Sequence, residues 1–166
     1  MRKISLLTLA LGTMATGAVH SATTTTTFAV TATVLSKCSA TATALPFGAY
    51  TPGAGALTAN GTISVKCTKS TPYTVALNAG STAGGAFAQR LMASGVNTLQ
   101  YNLFTTAAFG TVFGDGTGGT GTNAGTGAGV ATANTVTVYG QLLDSAANQT
   151  AVPASYSDTI TVTVTY

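Results

Sequence analysis

Few side chains in this sequence are of the types that perform catalysis or bind metals. The single histidine is His20, and the only acidic residues are Asp115, Asp144 and Asp158. General acid-base catalysis, a Ser-His-Asp relay or a His/carboxylate metal site needs several such groups close together. We therefore expect no catalytic residue, no metal site, no cofactor and no enzymatic activity. Asp158 is expected to be a turn residue or a cap at the start of a strand.

The first 21 residues have the pattern of a secretory signal peptide. Arg2 and Lys3 precede an apolar run at residues 4–11, which threonine and glycine interrupt too soon for a membrane-spanning helix. Val19 and Ser21 stand three residues and one residue before a suitable cleavage point. We expect cleavage after Ser21; a buried N-terminal strand is the less favoured alternative.

Cys38 and Cys67 are the two cysteines of the chain. In an exported protein they most simply form one disulfide. A 29-residue separation gives a stabilisation of about 3.6 kcal/mol in the chain-entropy model, an upper-side figure. Two free buried thiols or a metal site held by two lone cysteines are the alternatives, and an oxidising compartment favours neither.

The mature chain carries very little charge. Without Arg2 and Lys3, four cations oppose three aspartates, so the net charge falls from +3 to +1. Four scattered cations do not form the basic patch with which proteins bind nucleic acids or anionic membranes. No nucleic-acid partner is therefore expected. Weak mutual repulsion suits a protein that packs against copies of itself.

Residues 110–129 consist mainly of glycine and threonine. A phosphate-binding P-loop needs a lysine followed by serine or threonine at the start of a helix, and this segment has no such lysine. Residues 112–116 fit a hairpin turn, because Asp115 and Gly116 accept positive φ. We expect the whole segment to be a long flexible loop, since this composition does not offset the entropy lost on ordering.

Short runs of alternating apolar and polar residues predict a single all-β domain. The strands predicted after Lys37 are residues 39–47, 61–68, 73–78, 90–92, 99–105, 135–143 and 156–166. Pro46 and Gly48 end the first of them, which is typical of an edge strand. Gly140 predicts a bulge or a close backbone approach.

The alternation is strictest near the two ends of the mature chain. Residues 23–34 are predicted as a strand with one inward stripe: Thr24, Thr26, Phe28, Val30, Ala32 and Val34. A lone strand cannot bury such a face, so it must join a sheet of its own domain or of a neighbour. The last strand also alternates, with its inward stripe at Ile160, Val162, Val164 and Tyr166.

These features together resemble the spore coat protein U domain family, which includes subunits of archaic chaperone-usher pili. The resemblance covers essentially the whole mature chain, from the N-terminal strand and the two cysteines onward. Its further motifs are Arg90-Leu91-Met92, Leu99-Gln100-Tyr101-Asn102-Leu103, Phe113-Gly114-Asp115-Gly116, Val138-Tyr139-Gly140, Tyr156-Ser157-Asp158-Thr159 and Val162-Thr163-Val164-Thr165-Tyr166.

The resemblance implies an incomplete immunoglobulin-like sandwich of six strands that lacks the seventh. It divides the chain into a signal peptide at residues 1–21, a donor strand and tether at 22–37, and a spore coat protein U (pilin) domain at 38–166. The inward stripe of residues 23–34 would be the donor strand. The stripe of the last strand, with Ile160, Val162, Val164 and Tyr166, would line the acceptor groove and pair with a chaperone.

The function implied is that of a structural subunit of an extracellular fimbria, assembled by donor-strand complementation and supporting surface attachment and biofilm formation. Its partners would be a periplasmic chaperone, an outer-membrane usher and neighbouring copies of itself or related pilus subunits. It would pass through the periplasm to the cell surface. The alternative is a self-contained secreted coat or extracellular binding protein of the same family, with residues 23–34 in its own sheet. A tip adhesin is less favoured, since it would need a second domain.

Overall fold

The computed structural model describes residues 17–166, so most of the predicted signal peptide lies outside the described residues. The chain divides into two units, Met1–Thr33 and Val34–Tyr166. Within the described part of the first unit, residues 17–33, no helix or strand is formed. The strand predicted at residues 23–34 is therefore not a strand in the single chain. A strand persists only through hydrogen bonds to a partner strand.

The second unit consists of two antiparallel sheets, which confirms the all-β prediction. Its elements are β1 Cys38–Ala42, β2 Leu57–Cys67, β3 Pro72–Leu77, β4 Arg90–Ser94, β5 Asn97–Phe104, β6 Asn123–Thr126, β7 Asn134–Leu142, α1 Ala146–Gln149 and β8 Val162–Thr165. One sheet has the order β1-β2-β7-β5-β4, and the other has the order β6-β3-β8. The resemblance implied six strands; the eight seen in residues 17–166 include the short β4 and β6.

The prediction of a long flexible loop at residues 110–129 is wrong. The segment contains β6, and Phe113 within it is fully buried. Backbone hydrogen bonds join Gly121 N to Val112 O at 2.8 Å and Gly114 N to Gly121 O at 2.9 Å. The buried phenylalanine supplies the apolar contact that glycine and threonine lack, which offsets the entropy of ordering.

Three strand boundaries differ from those expected. β1 ends at Ala42, five residues before the predicted end, because the chain then leaves the sheet. β2 begins at Leu57, four residues before the predicted start at residue 61, because it continues to pair with β7. β8 begins only at Val162; before it, Ser157 forms an isolated bridge with Ala93 of β4 instead.

The core lies between the two sheets and is built from the inward residues of four strands. They are Ile63, Val65 and Cys67 of β2, Tyr73, Val75 and Leu77 of β3, Leu99, Tyr101 and Leu103 of β5, and Val136, Val138 and Leu142 of β7. Alternate residues of these strands point outward and are more exposed, as the period of two requires. On β7 the inward position between Val138 and Leu142 is Gly140.

Arg90 is a fully buried cation at the start of β4. Its guanidinium donates to the carbonyl oxygens of Asn78 (2.7 and 3.1 Å) and Phe113 (2.7 Å) and to the amide oxygen of Asn102 (2.7 Å). It also lies 5.5 Å from the centroid of the Phe87 ring. Burial lowers the pKa of Arg90 from its usual value. Its acceptors lie on β5, after β3 and in the glycine-rich segment, so one side chain joins three parts of the fold.

Replacing Arg90 with methionine should destabilise the protein strongly. The substitution keeps most of the side-chain volume but leaves the oxygens of Asn78, Phe113 and Asn102 without their donor. We expect the free energy of unfolding to fall by about 2 to 4 kcal/mol, measured by urea denaturation of the mature chain. Lys66→Met, at an exposed position of β2, is the control and should change it by less than about 0.5 kcal/mol. Equal stability of Arg90→Met and the wild type would contradict this role.

Candidate functional site

An apolar cleft of about 900 Å³ lies in the second unit, between the ends of its two sheets. Inward core residues form its floor, among them Ile63, Leu99, Tyr101, Leu103 and Val138. One rim is formed by the last residue of β1 and those after it, residues 42–50 and 52, and the other by residues 151–158 and 160, which lead into β8, together with its first residue, Val162. The cleft is therefore bordered by the two strands that end the sheets.

β1 and β8 are both edge strands. β1 is the first strand of the five-stranded sheet and pairs with β2, whereas β8 is the last of the three-stranded sheet and pairs with β3. The two edge strands contact each other. Beside that contact the sandwich is open at the cleft, where Ala42 at the end of β1 and Val162 at the start of β8 both line the opening. A further strand placed in the cleft would have a free edge on either side.

The hydrogen-bond pattern shows which backbone groups point to these edges. Thr43 N donates to Thr62 O at 2.9 Å in line with β1, and Asn78 N donates to Thr161 O at 3.1 Å in line with β8. In an antiparallel pair the bonded positions alternate. The backbone groups that point away from the partner strand are therefore those of Cys38, Ala40 and Ala42 on β1, and of Ile160, Val162 and Val164 at β8.

The apolar face of each edge strand is incompletely covered. Ala40 and Ala42 are exposed, although their partners across β2, Val65 and Ile63, are 0 % and 2 % exposed. On β8, likewise, Val162 is only half-buried opposite the buried Leu77. The core is complete in the middle of each sheet and unfinished at these two edges, which is the arrangement left by a missing strand.

The structure separates the four residues predicted for the acceptor groove. Ile160 and Val162 line the cleft. Val164 packs against the core beyond it, and Tyr166 is 58 % exposed. The groove-facing part of the last strand is therefore its beginning.

The residues predicted for the donor strand lie outside any sheet, with exposed side chains. Phe28 is 86 % and Val30 84 % exposed, and Val34 is similarly exposed. The smaller members of the same stripe, Thr24, Thr26 and Ala32, are exposed as well. An alternating apolar stripe of this kind is uncommon on a protein surface unless a partner covers it.

The predicted disulfide between Cys38 and Cys67 is present. The two residues are direct partners in the β1-β2 pair, with their Cα atoms 4.1 Å apart. That separation fits a pair whose backbone groups are not bonded to each other, as the alternation above requires. Because Cys67 is fully buried, the bridge fastens the edge strand β1 to the core.

Sequence analysis missed two apolar residues of the first rim, Leu45 and Phe47. Both side chains lie over Gly140: a Cβ there would be 2.6 Å from Leu45 Cδ2 and 3.0 Å from Phe47 Cζ. Leu45 also lies against Gly61, where a Cβ would be 3.4 Å from Leu45 Cβ. The Phe47 ring packs edge-on against Tyr101, with ring centroids 6.0 Å apart. Gly140 was the sequence signal for this contact, but side chains lie over it where a bulge or a close backbone approach was predicted, and β7 pairs through Gly140 without a bulge.

Asp144 holds the far end of the same rim. Its carboxylate accepts a hydrogen bond from the Tyr50 hydroxyl. It also accepts hydrogen bonds from the backbone N–H groups of Gly53 and Gly55, both at 3.0 Å. The hydrogen bond from Tyr50, followed by those from the glycines, lowers the pKa of Asp144. Burial and the Asp144 carboxylate raise the pKa of Tyr50 to about 12. The carboxylate is thus a structural acceptor.

Asp158 holds the start of the second rim. Its Oδ2 accepts from the Tyr101 hydroxyl at 2.6 Å, and its Oδ1 accepts from the backbone N–H groups of Ser81 at 2.9 Å and Thr82 at 3.0 Å. Burial disfavours the charged carboxylate, but these hydrogen bonds outweigh that effect and the pKa of Asp158 is lowered. Through Tyr101, which also contacts Phe47, the carboxylate links the two rims of the cleft.

Among residues 17–166 no three His, Cys, Asp or Glu side chains are grouped closely enough to hold a metal ion. In the same range, no helix has the length and apolar composition needed to cross a bilayer.

Two packed antiparallel sheets with an open gap between their end strands define an incomplete immunoglobulin-like sandwich. The chain belongs to the Spore Coat Protein U domain family, whose model matches residues 24–163. A comparison with curated protein sequences gave no match.

One similar solved structure is the crystal structure of the CsuC-CsuE chaperone-tip adhesion subunit pre-assembly complex, from the archaic chaperone-usher Csu pili of Acinetobacter baumannii. A chain of that structure matches with a TM-score of 0.53 and 25 % sequence identity. The match covers 81 % of this chain and 40 % of the other.

The hydrogen bonds of Asp158 predict a pH-dependent stability. Because its pKa is lowered in the folded state, its contribution is fully present above the unfolded value of about 3.9 and is lost as pH falls through the folded value. Asp158→Asn should lower the melting temperature at pH 7 and flatten its decline between pH 5 and pH 2. Tyr101→Phe should lower it at pH 7 as well, whereas the control Tyr139→Phe, on the outward face of β7, should not. An unchanged pH profile in Asp158→Asn would refute the assignment.

Proposed function

We propose that this protein is a structural subunit of an extracellular pilus that assembles by donor-strand complementation. The proposal is carried by one observation: an apolar cleft lies between two sheet edges, each with an unfinished apolar face. An added strand would form backbone hydrogen bonds to β1 and β8 and place alternate side chains in the cleft. Membership of the spore coat protein U family and the likeness to a Csu pilus complex support this proposal.

The strand that fills the cleft is the N-terminal extension of a neighbouring copy or of a related pilus subunit. Its stripe from Phe28 to Val34 has the period of two that the cleft requires. Burial of Phe28, Val30 and Val34 at about 1.5 to 3 kcal/mol each contributes roughly 5 to 9 kcal/mol before the cost of ordering. Residues 35–37 are the tether to the subunit of origin. Head-to-tail contacts of this kind need not close into a ring, so the subunits extend into a fibre when the rotation between them does not close.

Before assembly the open cleft is covered by a strand of a periplasmic chaperone, and an outer-membrane usher exports the subunit to the cell surface. The fibre supports attachment and biofilm formation and has no enzymatic role. The solved Csu complex pairs a chaperone with a pilus subunit, which supports the chaperone partner. The low charge of the mature chain also favours close packing of many copies.

Deletion of residues 22–34 tests the donor strand. The deleted chain should still fold with its chaperone but should form no fibres, because the neighbour's cleft stays empty. Fibre formation would be followed by electron microscopy and by resistance of polymers to unheated detergent. The doubly substituted Thr31→Ser/Thr33→Ser chain, changed on the outward face of the strand, is the control and should polymerise normally. Fibres of normal length from the deleted chain would refute the proposal, and loss of folding would favour the self-contained module.

Substitution of Val162 tests the acceptor edge. Val162→Asp places a carboxylate in the apolar cleft with no partner, so the chaperone complex should fail to form. Thr163→Asp adds the same charge one residue further on, at an exposed position of β8, and should leave the complex intact. The measurement is co-purification with the chaperone after co-expression. Equal yields of complex from both variants would show that the cleft is not the binding site.

A further inference from the structure

We propose that Leu45 determines which strands fit the cleft, by leaving room opposite it for only a short side chain, and that Ala32 of the incoming strand is the residue placed there. The inference rests on the proposed function and adds the basis of its selectivity. It concerns the first rim, from which sequence analysis predicted no contact.

The side chain of Leu45 packs into a space in the floor of the cleft that two glycines leave open. Two inward positions of β2 and β7, Gly61 and Gly140, have no side chain, and both face Leu45. A Cβ at Gly140 would be 2.6 Å from Leu45 Cδ2, closer than carbon atoms approach. The leucine therefore occupies space that a side chain of β7 would otherwise fill, and it is part of the wall that an incoming strand meets.

The rim around Leu45 is held on both sides. Before it, Thr43 N donates to Thr62 O at 2.9 Å; after it, Phe47 packs on Tyr101 and Tyr50 bonds Asp144. The position of Leu45 in the wall of the cleft is thus fixed by contacts on both sides of it. Leu45 remains half-buried, so it has a free apolar surface facing the open side.

The backbone next to Leu45 pairs with no strand of the described chain, and every residue there except Pro46 keeps an N–H to donate. Residues 44–50 make no backbone-to-backbone hydrogen bond within the described part of the chain. A strand that continues along the free edge of β1 passes this segment next. The inward side chains of that strand must then pack over the Leu45 side chain.

The donor stripe contains one residue that suits this position. Its apolar members are Phe28, Val30, Ala32 and Val34, and only Ala32 has a side chain as short as a methyl group. A residue larger than alanine at position 32 would overpack the contact with Leu45, and a residue smaller than leucine at position 45 would leave a cavity. We therefore pair Leu45 of one subunit with Ala32 of the next.

Exchange of the two sizes tests the pairing in the mature full-length chain. Ala32→Leu should raise the rate of polymer dissociation in guanidinium chloride about tenfold to hundredfold, because the larger side chain overpacks the contact with Leu45. Leu45→Ala should raise it about tenfold or more, because it leaves a cavity. The double variant Leu45→Ala/Ala32→Leu should return close to the wild-type rate.

Three controls keep the outcomes separate. Ala29→Leu makes the same change on the outward face of the donor strand and should leave the rate unchanged. Leu45→Met conserves the side-chain volume at position 45 and should also leave the dissociation rate unchanged. Circular dichroism shows whether Leu45→Ala folds. Additive effects in the double variant, with the wild type polymerising, would overturn the pairing and leave the proposed function standing. A wild type that forms no polymer would overturn both.

Discussion

The structure depends on one constraint: two strands at the ends of two sheets lack a neighbour on the side that faces the core. A sandwich buries its inner faces only if the gap between the sheets is closed along both edges. Here β1 and β8 leave that gap open, so the stripe across the middle is fully buried while alanines of β1 stay exposed and valines of β8 are half-buried. Uncovered apolar side chains and unpaired backbone groups of the two edge strands therefore lie at the same place. A single added strand would satisfy both.

The rest of the second unit keeps this opening in shape. The Cys38–Cys67 bridge fastens one edge strand to the core. Asp158 joins the segment that leads into the other edge strand to Tyr101 and to Ser81, and Arg90 binds the glycine-rich segment through the Phe113 carbonyl oxygen. These polar contacts are few and buried or half-buried, where hydrogen bonds to charged groups stabilise most and where losing a partner costs most. An empty cleft in a small domain needs such fastenings, because the missing strand contributes nothing to its core.

The two faces of the N-terminal extension differ in the same way as the faces of a sheet strand. Its even-numbered residues from Phe28 to Val34 are apolar, while threonines dominate the other face. Threonine suits an outward strand position, because its branched side chain favours extended backbone and its hydroxyl meets water. The segment forms no strand by itself, because a lone strand has no hydrogen-bond partner and cannot bury an apolar face.

The sequence by itself determined the features that depend on local periodicity and composition. Alternation located most strands, two cysteines in an exported chain implied the bridge, and Gly140 indicated a close approach. Tertiary structure alone decided what depends on distant contacts. Phe113 is buried in the core and Arg90 binds its carbonyl oxygen, so a segment with the composition of a loop is ordered. Leu45 and Phe47 meet Gly140 across about a hundred residues, and Asp158 meets Tyr101 across 57. No local pattern encodes such pairings, because they arise from which sheet edges come together.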